Sequence, residues 1–188
     1  ANRTQEFIGG LFEKCCKVMM AITRLPQPVI ARVHGIATAA GCQLVAACDL
    51  AVASSDAKFA TSGVNFGLFC ATPGVAVSRN LSRKQALEML MTGDFIDAAT
   101  ALQWGLVNRV AAPDKLDDAV RELADQLLAK PSAVLAAGKK FFYKQIEMDM
   151  EPAYKLATEV ITNNMLGHDA LEGVSAFAEK RKPQWKNK

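Results

Sequence analysis

Between Leu11 and Leu25, "LFEKCCKVMMAITRL" places apolar residues at 11, 12, 15, 16, 19, 22 and 25, a three-and-four spacing that predicts a helix with a wide buried face. Pro26 and Pro28 end it. "VIARVHG", 29–35, is short, β-branched and bounded by breakers, which predicts a strand. "GCQLVAAC", 41–48, then reads as a short helix and "LAVAS", 50–54, as the next strand. From 55 to 76, "SDAKFATSGVNFGLFCATPGVA" carries glycines and a proline that predict a winding surface segment rather than a long element, the kind of loop that lines sites.

Further along, Ser82 and Gln85 form a capping box ahead of "ALEMLMTG", which Gly93 terminates. "DAATALQWG", 97–105, is a second short helix ending at Gly105, and "LVNRV", 106–110, a strand. Asp114 caps the helix "KLDDAVRELADQLLAK" and Pro131 suits the first turn of "PSAVLAAGKKFFYKQ". Two more helices are predicted near 151–166 and 169–181. The layout is α/β over 1–110 and helical over 111–188, with no low-complexity linker and no internal repeat of fixed period.

Composition narrows the function classes. The 188 residues suit one compact unit. No segment offers the roughly 20 apolar residues of a membrane helix. No secretory signal is visible, although Ala1 is not an initiator methionine and an upstream targeting segment is compatible with that start. Five cysteines, at 15, 16, 42, 48 and 70, are odd in number and form no C-x-x-C pair, which argues against a disulfide framework or structural zinc and for a reducing compartment. A net charge of +3 is too small to imply nucleic-acid binding, and the basic ending "FAEKRKPQWKNK" reads as a solvated tail.

The chemistry concentrates in "HGIATAAGCQLVAACDLAVAS", 34–54. A small-residue turn from strand into helix leaves backbone N–H groups unpaired and points the positive end of the helix dipole at whatever lies before it. Ala39, Ala40 and Gly41 keep no bulk between a ligand and the backbone, so a carbonyl oxygen could approach the Ala40 N–H. Tight strand-to-helix packing explains the same small residues equally well. Asp49, at the end of that helix, is placed to bond a neighbouring backbone group rather than to do acid-base work. Cys42 and Cys48 read as packing groups, and Thr72 as a loop residue able to hydrogen-bond a ligand.

"PVIARVHGIATAAGCQLVAACDLAVAS", "TPG" at 72–74, "ALEMLMTGDFIDAATALQWGLVNRV" and the terminal "EGVSAFAEKRKPQW" together resemble the crotonase superfamily, the enoyl-CoA hydratases and isomerases, over about residues 26–186. The resemblance implies an α/β fold, the ClpP/crotonase-like spiral of ββα units. Residues 1–110 would be the C-terminal part of that core, its N-terminal strands missing from this chain, and 111–188 a helical region for trimerisation. It implies a homotrimer or a dimer of trimers, and an acyl-CoA ligand in which coenzyme A is part of the substrate, with no separate cofactor and no metal. It implies no nucleic-acid or membrane partner and an intracellular location, cytoplasmic in a bacterium and the mitochondrial matrix in a eukaryote. In such proteins two backbone N–H groups stabilise a thioester enolate, and the second maps onto Ala40. The first lies upstream of the helix near Leu11, in a region this chain lacks.

Two family positions depart from the hydratase pattern. The glutamates that exchange protons with water and with the α-carbon fall at Gln43 and Gly63, neither of which can do so, and restoring both by Gln43→Glu with Gly63→Glu is expected to raise hydration. Ala37, Ala39, Gly41, Asn65, Phe69, Cys70, Pro73 and Gly74 map to the acyl pocket, and Phe177 with Lys180 to the adenine and phosphates of CoA bound to a neighbouring subunit. The expected activity is therefore of the hydratase/isomerase type with atypical groups. A catalytically silent acyl-CoA binder and a thioesterase-like enzyme using Cys70 are its rivals.

Overall fold

The computed structural model describes residues 3–187; Ala1 and Lys188, named above, lie outside the described residues. Two compact units are present. One holds the chain up to Thr23 with Val29–Leu123, the other Arg24–Pro28 with the chain from Ala124 onward.

The first unit begins with helix α1, Gln5–Arg24, which starts earlier than its periodicity predicts. Its apolar face is not buried: no residue of α1 is, and Phe7, Leu11, Phe12, Val18 and Met20 are each about half exposed. After the prolines come β1 (Ile30–Val33), β2 (Ile36–Thr38), α2 (Ala40–Ala47), β3 (Leu50–Ser54) and β4 (Lys58–Ala60). A 3-10 turn (Ser62–Phe66) leads to α3 (Ala71–Val77), α4 (Arg83–Thr92), β5 (Ile96–Asp97), α5 (Ala98–Trp104), β6 (Arg109–Ala111) and α6 (Leu116–Leu128). β1, β3 and β6 form a wholly parallel sheet, and β2, β4 and β5 a second one in which β5 runs against β4. Ile30 faces Leu50 and Ile36 faces Lys58, so the β3–β4 pass lies alongside the β1–β2 pass.

Strand β3 shows why alternation was absent from its sequence. Side chains alternate between faces, and here both faces are covered, as in parallel sheets generally. Val52 packs against Leu116 and Leu123 of α6, while Ala51 and Ala53 turn to the main core around Phe59, Val77 and Met89. Small side chains at 37, 46, 51, 53 and 57 let the layers of that core approach closely.

Capping chemistry set the helix ends as expected. Both bonds of the Ser82–Gln85 box form, and Gly93 and Gly105 take left-handed conformations at φ 69° and 89°. Asp114 does not cap α6: it sits inside a 3-10 turn, Pro113–Lys115, that precedes the helix. Within the segment read as irregular, β4 is three residues long and draws its bonds from β2, while α3 tolerates Pro73 because its first-turn N–H groups have no helical acceptor.

In the second unit α7 (Ser132–Gln145), α8 (Met150–Met165) and α9 (His168–Ala178) follow in sequence. Helix α9 stops short of the predicted 181 because Lys180 adopts φ 53°. The basic ending is not a solvated tail. Buried Asp169 accepts the Lys186 and Asn187 N–H groups at 2.7 and 2.9 Å, Trp185 Nε1 donates to the Ala129 carbonyl at 2.9 Å, and Asn187 Oδ1 accepts the Ser132 N–H at 2.7 Å. The Trp185 ring lies against Gly173.

Glu172 completes this strap. The Arg181 guanidinium bonds its carboxylate, the Gln184 N–H adds to it, and together they hold the carboxyl at about 2, below its ordinary 4.5. A depressed carboxylate stabilises the folded state above its unfolded value and loses that contribution as pH falls through the folded one. Thermal unfolding of the wild-type chain is therefore expected to drop between about pH 4.5 and 2, and Glu172→Gln to flatten that part of the profile. A variant profile that tracks the wild type across this window would contradict the assignment.

Candidate functional site

The site grows from the end of β2. Ala39 N–H donates to the Ala60 carbonyl at 3.0 Å as the last rung of the β2–β4 pair, and the Gln43 N–H donates to the Ala39 carbonyl at 2.9 Å as the first bond of α2. Between them the backbone reverses at Ala39, with φ 47° and ψ −115°, a region costly to any residue with a side chain. A methyl is the least bulk that can sit there short of glycine. Ala40 is thus the first residue of an eight-residue helix, exposed along with Gly41. Among the described residues no backbone carbonyl accepts the Ala40 N–H.

The surroundings of this turn come from distant parts of the chain. Thr38 Oγ1 lies 2.8 Å from Ser62 Oγ, tying β2 to the 3-10 turn. Next to Ser62, the Gly63 N–H donates to Cys70 Sγ at 3.3 Å, and Leu68 N–H returns to the Gly63 carbonyl at 3.0 Å. Cys70 heads α3, whose Pro73 and Gly74 are buried, Gly74 resting on Leu90. Asn80 donates to the Ala46 carbonyl at 2.8 Å and so fastens the far end of α3 to α2.

Gln43 stands three residues beyond Ala40, on the same side of the helix, and helical side chains lean toward the N-terminus. Its side chain is only 4 % exposed, and its Oε1 is buried with no hydrogen-bond partner among the described residues. Ala37 is buried beneath the turn. Cys42 is fully buried; burial, with a smaller contribution from Cys70, pushes its thiol up to about 12, so it stays protonated and packs. Asp49 accepts the Val29 N–H at 2.6 Å, a structural role.

The remaining predicted residues scatter. Asn65 donates to the Gly93 carbonyl at 3.3 Å and is engaged with the end of α4. Phe69 is more than half exposed, and Thr72 lies half-buried in α3. Phe177 and Lys180 belong to the second unit, at the end of α9, with Phe177 87 % exposed. Sequence reading missed Thr38 and Ser62, because nothing local marks two hydroxyls that meet only through sheet pairing.

Gly63 corrects one expectation. A Cβ built there would stand 2.6 Å from the Leu68 carbonyl oxygen and 2.7 Å from Cys70 Sγ. No side chain fits without moving backbone, so Gly63→Glu would disrupt this turn rather than restore an acid. Even Gly63→Ala is expected to cost about 1–3 kcal/mol, the usual penalty of overpacking. Chemical denaturation should show the loss, and Cys70→Ala in the same chain should recover part of it by removing the sulfur but not the carbonyl. Full stability of Gly63→Ala would show that the turn yields.

With this geometry in view, the likenesses to known proteins are specific. The profile of the family described as enoyl-CoA hydratase/isomerase matches residues 1–188. The mitochondrial enoyl-CoA hydratase domain-containing protein 3 of Rattus norvegicus is 47 % identical over 181 residues, covering 96 % of this chain and 60 % of the relative. The chain thus spans about three-fifths of the length of that relative. Among solved structures, an enoyl-CoA hydratase of Mycobacterium smegmatis superimposes with a TM-score of 0.97 at 59 % identity, over 98 % of this chain and 72 % of that one. The human enoyl-CoA hydratase domain-containing protein 3 follows with a TM-score of 0.94 at 47 % identity, over 97 % and 72 %. The fold is accordingly that of a known group: this chain belongs to the enoyl-CoA hydratase/isomerase family.

Proposed function

We propose that the chain binds an acyl-CoA thioester with its carbonyl oxygen on the Ala40 N–H and stabilises the enolate formed when a proton carrier other than the two family glutamates takes the α-proton. The observation that carries this reading is the exposed start of α2 at Ala40 and Gly41, where the Ala40 N–H has no backbone acceptor among the described residues. A helix N-terminus favours negative charge, and a backbone donor aimed at a developing oxyanion acts without side-chain reorganisation. Losing one such donor typically raises a barrier by about 3–4 kcal/mol.

The reaction itself follows from what surrounds that donor. Two-carboxylate hydration has no support here: Gln43 offers a neutral amide, and Gly63 has no room for a side chain. What remains is a pocket that binds and polarises a thioester and in which Gln43 orients a ligand or a water. The same observation favours the second reading, an acyl-CoA binder without turnover. Cys70 is a weaker candidate for thioester cleavage. A thiol nucleophile needs an adjacent base, and the Gly63 N–H that donates to its sulfur is not one.

Coenzyme A would enter as part of the substrate, with Phe177 against adenine and Lys180 on phosphate, contributed to the site of a neighbouring subunit. The half-exposed or more exposed apolar residues of the second unit, Met150, Ile161, Met165, Leu171 and Phe177 among them, support assembly as a trimer or dimer of trimers. The rat relative's name places it in mitochondria, which favours the mitochondrial matrix for a eukaryotic source and the cytoplasm for a bacterial one. No helix among the described residues is long and apolar enough to cross a membrane.

Two measurements test this. Titration with butyryl-CoA and with its thioether analogue, which lacks the carbonyl, should show the thioester binding about tenfold tighter, the worth of one good hydrogen bond. Ala40→Pro removes the donor at a helical position that proline suits and should erase that preference. Equal affinity for both ligands in the wild type would refute the carbonyl contact, and turnover of enoyl-CoA in the same samples separates enzyme from silent binder.

Lys180 offers an independent check. At φ 53° it occupies a conformation that favours glycine. If its side chain serves phosphate, Lys180→Gly should keep or raise stability, by up to about 1 kcal/mol, while weakening CoA binding severalfold in a salt-dependent manner. Unchanged CoA affinity would reduce Lys180 to a helix stop.

A further inference from the structure

Helix α9 stops on a lysine where a glycine is usual. The Arg181 N–H donates to the Ala176 carbonyl at 3.0 Å and the Lys180 N–H to the Phe177 carbonyl at 3.2 Å. These are the paired bonds of a Schellman stop, whose left-handed residue is most often glycine. Here that residue is Lys180, at φ 53°. A strained backbone of this kind persists only where the surrounding structure over-determines it.

An ion-pair cluster supplies that surrounding structure. Arg181 Nη1 and Nη2 donate to the two carboxylate oxygens of Glu172 at 2.5 and 2.9 Å, and its Nε donates to Glu179 at 2.6 Å. Were α9 to continue, Arg181 would stand nine residues beyond Glu172, roughly 13 Å along the axis and on the opposite side of the helix, out of reach. The pair forms only because the chain reverses at Lys180, and by the same token it holds the reversal. The side chain of Glu172 is 15 % exposed, and a bidentate guanidinium–carboxylate pair adds geometric definition as well as energy. The Gln184 N–H reaches the same carboxylate at 2.7 Å, and Asp169 takes the Lys186 and Asn187 N–H groups, so the chain beyond Arg181 is fixed too.

The clasp and the exposed groups lie on different sides of the helix. Phe177 comes five residues after Glu172, about 140° round the axis, and is 87 % exposed. Lys180, bonded through its N–H to the Phe177 carbonyl, is exposed beside it. An aromatic ring next to a cation suits a nucleotide, whose base stacks on the ring while its phosphate meets the ammonium. A lysine on a mobile turn would have to be ordered on binding; one whose backbone is already locked avoids part of that cost.

We propose that Arg181 is a positioning residue for the nucleotide end of coenzyme A: by clasping Glu172 it holds Lys180 in place next to Phe177, so that cation and ring form a ready-made receptor for phosphate and base. This role rests on the reading given above, in which Phe177 and Lys180 meet CoA.

Titration with coenzyme A at neutral pH, followed by calorimetry, separates positioning from charge. Glu172→Gln removes an anion from the neighbourhood of a phosphate, which by electrostatics alone would tighten binding. Positioning predicts the reverse: binding weakened by about fivefold, the scale of ordering one long side chain, with a smaller dependence on salt. In a Lys180→Gly background the same substitution should change affinity by less than about twofold, because no lysine remains to be placed. Arg181→Gln, the other half of the clasp, should behave alike in both backgrounds, and it serves in place of Glu172→Gln where that variant does not fold. An affinity that holds or rises when the clasp is broken, or a loss undiminished without Lys180, overturns the positioning role and leaves the CoA reading intact. Should Lys180→Gly bind coenzyme A as the wild type does, the CoA contact of Lys180 and the positioning role fall together.

Discussion

One hydrogen bond governs the geometry of the site: the Ala39 N–H to the Ala60 carbonyl. It is the last rung between β2 and β4, and it holds Ala39 in the sheet while the very next residue must open a helix. The backbone meets both demands only by adopting φ 47° at Ala39, a strain the paired strands can sustain because β4 is itself anchored in the core by Phe59. The reversal leaves the first N–H of α2 without a backbone acceptor among the described residues. Small residues at 39, 40 and 41 are consequences of that turn, and the chemistry is available because the turn is tight. Packing and the proposed ligand approach, which the sequence offered as competing explanations, are compatible in one turn.

A second constraint decides what reaction the turn can support. Cys70 Sγ and the Leu68 carbonyl fill the volume in front of Gly63, and the Gly63 N–H bonds the sulfur. No carboxylate fits at position 63 without moving backbone, because the loop has closed over it. Gln43 remains as the polar group beside the turn, buried and with an unsatisfied oxygen, a state that proteins seldom tolerate without a partner. The proposed binding and polarisation of a thioester, rather than proton shuttling, rests on these two features.

The second unit is held by directional bonds rather than by a large core. Asp169 and Glu172, both on α9, gather the backbone of residues 184–187, and Trp185 reaches back to the end of α6. Residues with carboxylates thus do for the terminal segment what strand pairing does in the first unit. The apolar side chains left outside, on α8 and α9, are free to meet other surfaces.

Local chemistry was legible in the sequence. The capping box at Ser82, the stops at Gly93 and Gly105 and the strand–turn–helix–strand run from 29 to 54 all rest on interactions within a few residues, and all could be read without coordinates. Tertiary structure alone decided the rest. Strands of two or three residues, such as β2, β4 and β5, have too little periodicity to announce themselves and exist because a distant strand supplies their bonds. The closed volume at Gly63, the pairing of Thr38 with Ser62, the strapped basic ending and the bare face of α1 likewise depend on which far segments meet. Sequence determines what each short stretch prefers; only the assembled sheets determine which groups are left over for chemistry.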